Sequence, residues 1–408
     1  MTTNKAVEEL IQRGVRIPCP GSVDVDERVA VDRVAPGVVL FPGTRLRGAA
    51  TSIGPGCRIG EEAPATVDNC CLGRNVELKG GFFSGAVFLD KAGMGSAAHI
   101  RPGTLLEEEA SGGHAVGFKQ TILLSFTTAG SLINFCDALM AGGTSRRDHS
   151  EIGSSYIHFN FTPHQDKATA SLIGDVPRGV MLDRPPIFLG GQGGLVGPVR
   201  LEYGTVIPAG TICRRDVLEP HQLFSPPALK GGRPRPFRAG AYRSIGRIVT
   251  NNLIYVGNLH ALKLWYRDIR AATMAGDPFA AACREAALAL IDGALDERIK
   301  RLGELAGRMG RSLELARSDP ALAIPPEQEA HQRAFGDSWP GMAERLAAGP
   351  DETAGAADRD RFLAAWEKAD RTKGHTQAVA GLAAEIKRAG TGWLQAVVDA
   401  AASTGTIA

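Results

Sequence analysis

The chain has 408 residues, 44% of them hydrophobic and 22% charged, with a formal net charge of +2 at pH 7. These values are ordinary for a globular chain of two or three domains, and they give no electrostatic pull toward nucleic acid or a membrane surface. No segment approaches the ~20 consecutive apolar residues of a membrane span, and seven scattered cysteines without a CxxC pair argue against a disulfide framework or a structural zinc site.

The opening MTTNKAVEELIQRGVRIPCP carries early acids and no apolar segment. A secretory signal is therefore not expected, and the cytoplasm is the expected compartment. Val7, Leu10 and Ile11 at helical spacing predict a short helix over 4–14, stopped by Pro18 and Pro20. From about residue 30 the pattern changes to an aliphatic residue about every six positions, followed by Gly or another small residue. Ile53-Gly54, Ile59-Gly60 and Leu72-Gly73 set the theme, and Leu189, Leu195, Leu201, Val206 and Ile212 continue it. Dipeptides such as Pro36-Gly37, Pro42-Gly43, Pro102-Gly103 and Gly197-Pro198 mark corners.

A period near six means one flat side of a triangular coil per hexapeptide. The aliphatic residue points inward, and Gly, Asn or Asp takes the unusual corner angles. Stacked coils then bury a column of Val, Ile and Leu. The competing architecture, a β-sandwich, would space its strands 8–12 residues apart. The expectation is a mainly β chain: a left-handed parallel β-helix over 25–220 after a lead-in at 1–24. A Pro/Arg-rich linker is expected at 221–245, containing FSPPALKGGRPRPFRAGAYR, and an α-helical domain over 246–408. Within it, 249–276 lacks Pro, Asp277-Pro278 reads as a helix start for 278–308, and Pro320, Pro325 and Pro326 break the chain. Ala-rich amphipathic stretches follow over 340–404, with no strong catalytic pattern.

Five segments carry more than periodicity: RPGTL (101–105), GFKQT (117–121), AGSLINFCDA (129–138), EIGSSYIHFNFTPHQDKAT (151–169) and TVIPAGTICRRDV (205–217). Together they resemble the acetyltransferase domain of the bifunctional glucosamine-1-phosphate acetyltransferase / N-acetylglucosamine-1-phosphate uridyltransferase family. The resemblance implies a homotrimer with sites between subunits, acetyl-CoA or another acyl-CoA as donor, and a sugar phosphate or nucleotide sugar as ligand. It places Arg101 and Lys119 on the family's phosphate-binding positions and Asn160 on its active-site Asn. Ser131 stands where the family has its catalytic His, Asn134 and Phe161 where it has Tyr, and about seven extra residues between Asp137 and Ile152 bring in Arg146, Arg147 and His149. No GxGTRM-like nucleotide loop is visible, so a pyrophosphorylase activity is not expected.

Strand alternation over 156–162 puts Ile157, Phe159 and Phe161 inside the coil, and Tyr156, His158, Asn160 and Thr162 on an outer stripe. That makes His158 the candidate general base, with His164 and His149 as competitors, since imidazole titrates near neutrality. Each of these is as easily a structural or surface His. Arg101 and Lys119 offer a fork and a point charge for phosphate, with Arg146, Arg147, Tyr156, Gln165 and Lys167 as further ligand contacts. Asn134 and Asp137 suit a sugar hydroxyl or amine. A divalent metal held by the three His with Asp148 and Asp166 is a rival use, although their spacing is not a ligand signature. Ser131 lacks a Gly-x-Ser-x-Gly elbow, and FLGGQGGLVGP (188–198) lacks the GK[ST] of a phosphate loop and reads as tight corners. Two further readings stay open: a non-catalytic nucleotide-sugar-binding scaffold, and a metal-dependent enzyme on the same β-helix.

Overall fold

A computed structural model describes residues 5–225, 232 and 236–403. Helix α1 (Lys5–Gln12) caps the start of the solenoid, burying Val7 and Leu10 and leaving Ile11 exposed. Parallel strands of two to seven residues then wind about 11 turns around three faces, giving the left-handed β-helix that the six-residue period predicts. Two excursions interrupt the late coils, a hairpin over 143–149 and the helical turn α2 (Val176–Gly179).

Inward ladders hold each face together. On the first face the ladder runs Val25, Leu46, Val67, Phe83, Ile100, Phe118 and Phe135, then His158, Leu195 and Cys213. On the third it runs Leu40, Ile59, Leu78, Met94, Gly112, Ala129, Ile152, Leu189 and Ile207. Burial of such a ladder stabilises each coil only through its neighbours. The spacing of the last rungs, 189, 195, 201, 207 and 213, is strictly six. Val206 and Ile212, expected inside, face out, and Ile207 and Cys213 take their places. Both residues of these two-residue strands are apolar enough to fill the slot, so the ladder register decides.

The second face differs. Ile53, Leu72, Phe88, Leu106, Leu123, Met140, Ile173 and Leu201 point inward, yet the alternate column (Cys71, Val87, Leu105, Ile122, Leu139 and Leu172) is buried too. The helical region covers it. Helix α3 (Gly246–Leu264) continues through a π-helical stretch, Trp265–Arg270, into α4 (Ala271–Met274). Helix α5 (Pro278–Ala306) starts where Asp277 caps the free N–H groups of Phe279 and Ala280. α5 lies against the early and middle second-face strands, and α3 lies against the strand at 171–173. Helices α6 (Met309–Ser318), α7 (Pro326–Ala348), α8 (Ala356–Trp366), α9 (His375–Ala380) and α10 (Ala384–Ser403) complete the outer layer. Arg270 locks the two regions together: buried with Glu107, it pairs with Glu107 at 2.9 Å and with the partly exposed Glu108 at 2.7 Å, while Tyr266 donates to Glu107 at 2.9 Å. Of the Pro/Arg-rich stretch, 226–231 and 233–235 lie outside the described residues. Among the described residues no helix is long and apolar enough to cross a membrane.

Candidate functional site

The corner where the first face passes into the second is built from left-handed residues. Gln120 has φ 48° and Asp137 φ 58°, stacked on successive coils. The residues just before them, Lys119 and Cys136, are register partners. Arg101 comes from the preceding coil, with Nη2 3.3 Å from Cys136 Sγ. Asn134 is exposed two positions upstream of Cys136. Burial raises the Cys136 thiol above its ordinary range, with Arg101 and Lys119 pulling the other way. A thiol kept neutral between two cations leaves their charge free for an anion.

Asn160 belongs to this corner. Its Nδ2 donates to Asp137 Oδ2 at 2.9 Å. The other carboxylate oxygen accepts from Arg298 Nη2 at 3.1 Å, and that nitrogen also donates to Gln120 Oε1 at 3.0 Å. Arg298 comes from α5 and is only 3% exposed; Asp137 is 5% exposed. Sequence reasoning missed Arg298. The signal was present: on α5 the buried stripe runs Cys283, Ala287, Ile291, Leu295, Arg298, Leu302 and Leu305, and a charge on an apolar helical stripe asks for a buried partner.

The orientation expected for 156–162 is reversed over 156–159, while Asn160 and Thr162 stay half-exposed. Tyr156 and His158 are buried, whereas Ile157, Phe159 and Phe161 are exposed. His158 occupies the Phe rung of the first-face ladder, its ring 5.4 Å from that of Phe135. Its Nδ1 bonds the Cys136 carbonyl, and its Nε2 meets Ser171 Oγ at 2.7 Å. Burial lowers its pKa to about 4. A neutral ring with both nitrogens engaged inside the coil is a structural group, out of reach of a substrate on the outer face. The Tyr156 hydroxyl is buried without a partner.

The remaining candidates are dispersed. His164, half-buried, accepts from the Gly240 N–H at 3.2 Å and stacks on Tyr242 with centroids 4.5 Å apart. Burial lowers its pKa. Asp166 in the same loop accepts from Thr162 at 2.7 Å and Tyr242 at 3.1 Å. Gln165 and Lys167 are exposed on this loop. Arg146, Arg147 and His149 sit on the 143–149 hairpin at the far corner, where Arg146 Nη1 caps Glu109 O, Phe126 O and Thr128 Oγ1 at 3.2, 3.2 and 2.7 Å. The structure thus gathers Arg101, Lys119, Asn134, Asp137 and Asn160, and it separates them from Arg146, Arg147, His149 and His164. Among the described residues no group of three or more His, Cys, Asp or Glu side chains is placed to hold a metal ion.

No family model matches the chain. It is 30% identical over 210 residues to the Bifunctional protein GlmU of Trichlorobacter lovleyi, spanning 51% of this chain and 40% of that protein. The proteins of the same name from Pelobacter propionicus and Thermotoga petrophila are 29% and 27% identical, each over 214 residues. The chain spans about two fifths of the length of the curated relatives it matches.

Proposed function

We propose that the chain binds a phosphorylated sugar or nucleotide sugar at the Arg101–Lys119–Asn160 corner and acts as a hexapeptide-repeat acyltransferase, taking the acyl group from acetyl-CoA or another acyl-CoA. The observation that carries this reading is Arg101 Nη2 lying 3.3 Å from Cys136 Sγ, with Lys119 as the register partner of Cys136, beside an Asn160 amide held by Asp137. The two cations hold the phosphate, and Asn134 and the Asn160 amide meet sugar oxygens or the acyl carbonyl. The similarity to GlmU proteins supports the sugar-phosphate class.

The test is a thermal shift with glucosamine-1-phosphate, UDP-N-acetylglucosamine and acetyl-CoA, followed by acyl-transfer assays. Wild type is stabilised by a phosphorylated sugar. Arg101→Met and Lys119→Met each weaken its binding by tenfold or more, the scale of a lost hydrogen bond to a charged group, about 1.5–3 kcal/mol. No stabilisation by either sugar ligand, or unchanged binding in both variants, refutes the assignment.

A non-catalytic nucleotide-sugar-binding scaffold is the second reading, and one observation favours it. The imidazole nearest the corner, His158, is shut inside the coil. Binding without turnover by any CoA thioester selects this reading. For assembly we propose a homotrimer. Ile157, Phe159, Phe188, Val206 and Ile212 are each 37–41% exposed on the free first and third faces of the last coils, and apolar patches of this kind mark subunit interfaces.

A further inference from the structure

At the corner where the third face passes into the first, four successive coils repeat one tripeptide pattern: Gly95-Ser96-Ala97, Gly113-His114-Ala115, Gly130-Ser131-Leu132 and Gly153-Ser154-Ser155. The last residue of each is left-handed, with φ of 58°, 56°, 60° and 61°. The middle residues therefore stack, one per coil, into a polar ladder of Ser96, His114, Ser131 and Ser154. Ser131 Oγ lies 2.8 Å from His114 Nδ1, and the Ser131 N–H donates to Ser154 Oγ at 3.1 Å. Gly113 makes the approach possible, because a Cβ there would come within 2.6 Å of Ser131 Oγ. Above His114, the Glu62 carboxylate is held below its ordinary range by Lys79 first, then by Ser96, with the His114 imidazole adding to the effect.

His114 is exposed and Ser131 half-exposed, and both open onto a groove of about 760 Å³. Gly93 and Ser111 are the outward residues of its floor, while Lys79 and Lys91 stand around it paired with Glu62 at 2.9 Å and Glu109 at 3.8 Å, with Arg146 and Glu77 beside them. Small residues on the floor leave room beside Ser131 for a narrow acyl chain. A serine hydroxyl within hydrogen-bond reach of an imidazole is the arrangement that activates a nucleophile.

We propose that Ser131 is a nucleophile, with His114 as its general base, in an acyl-accepting site for a short activated ester or thioester. Ser131 Oγ attacks the carbonyl carbon as its proton passes to His114 Nδ1. The C–S or C–O bond breaks, and the departing thiolate or alkoxide takes that proton. The products are acyl-Ser131 and a free thiol or alcohol. Water or an amine then attacks the ester carbonyl, His114 accepts the incoming proton, and it returns that proton to Ser131 Oγ as the ester bond breaks. Five residues lie between Ser131 and Asp137, which stand at opposite ends of the first face, at most about 20 Å apart. The site is therefore distinct from the phosphate corner and does not depend on its ligand.

The full chain is mixed with p-nitrophenyl acetate, and p-nitrophenol release is followed by stopped flow with peptide mass mapping. The expected result is a burst of about one equivalent per chain and an acetyl adduct on the peptide carrying Ser131. Ser131→Ala abolishes both. Ser131→Cys moves the adduct to the new thiol, and His114→Gln slows acylation by about 100-fold or more. All three variants unfold at the wild-type temperature, since neither side chain is buried. An adduct on another residue, no adduct on wild type, or an undiminished burst in Ser131→Ala overturns the proposal.

Discussion

Replacing Arg298 with Met tests the seam between the solenoid and the helices. Arg298 and Asp137 are 3% and 5% exposed, and their N–O separation is 3.1 Å. Methionine fills most of the volume but leaves the Asp137 carboxylate with the Asn160 amide as its remaining side-chain donor, at 2.9 Å. It also strips Gln120 Oε1 of its 3.0 Å donor. Breaking a buried ion pair from one side costs about 3–5 kcal/mol, because the surviving charge keeps its desolvation penalty. Part of that is offset here. Arg298 Nη1 is itself buried without a partner, and its removal relieves about 1–3 kcal/mol of unmet hydrogen bonding. The net expectation for Arg298→Met is a loss of about 2–3 kcal/mol in urea unfolding, most of it recovered in Arg298→Met/Asp137→Leu, which removes both charges. The cycle should show a coupling of at least about 1 kcal/mol. A loss below about 0.5 kcal/mol, or a double variant as costly as the sum of its singles, would refute the pair as a structural seam.

Three further outcomes are expected. With its folded pKa near 4 and an unfolded value near 6.5, His158 binds its proton mainly in the unfolded chain between those values, so stability falls as pH drops through that window, by up to about 3 kcal/mol. His158→Phe, which keeps the ladder rung, should flatten this part of the pH–stability curve; parallel curves for variant and wild type would contradict the interior assignment. Arg270→Met should cost about 3–5 kcal/mol by stranding the Glu107 and Glu108 carboxylates, with proteolysis opening the helices before the solenoid; a variant as protease-resistant as wild type would count against Arg270 as the lock. Light scattering should give three chains for wild type and fewer for Phe159→Glu combined with Ile212→Glu; a monomeric wild type would exclude the proposed assembly.

The coil architecture was legible because its signal is local and repeated. One aliphatic residue per six positions and a turn residue between them suffice to stack a solenoid. Phase was harder to read. In IHFNF (157–161) alternation favours whichever set is more apolar, and that criterion put Ile157 and Phe159 inside. The preceding coils hold the better template. Val116-Gly117-Phe118 and Ile133-Asn134-Phe135 each follow a left-handed residue, and Tyr156-Ile157-His158 follows Ser155 in the same way. Aligned to that template, Tyr156 and His158 fall on interior rungs, and Asn160 falls on the corner column of Gln120 and Asp137. A ladder averages over many coils and so overrides the preference of one strand. Arg298 was half legible: its place on a buried stripe announces a partner, but no local pattern says that the partner lies 161 positions earlier in the chain.

The helical cover explains how the three faces divide their work. The second face carries apolar residues on both sides of its strands because its outer column is a packing surface for α3 and α5, and it is therefore closed to ligands and to other chains. In the proposed trimer, contact with a further copy would use the first and third faces, where Ile157, Phe159, Phe188, Val206 and Ile212 are exposed. The two chemically equipped corners bound the first face on either side. One is sealed at its back by Arg298 from the same chain, which holds Asp137 and, through it, Asn160. The other, the Ser131–His114 ladder, opens onto a groove that, among the described residues, no helix lines. A neighbouring copy seated on the first and third faces would bring its own first face near this corner. The span of up to about 20 Å between the two corners within one chain need not separate them between chains. On the proposed assignments, assembly more than the fold of the single chain would decide whether an acyl group on Ser131 meets a sugar bound at Arg101 and Lys119.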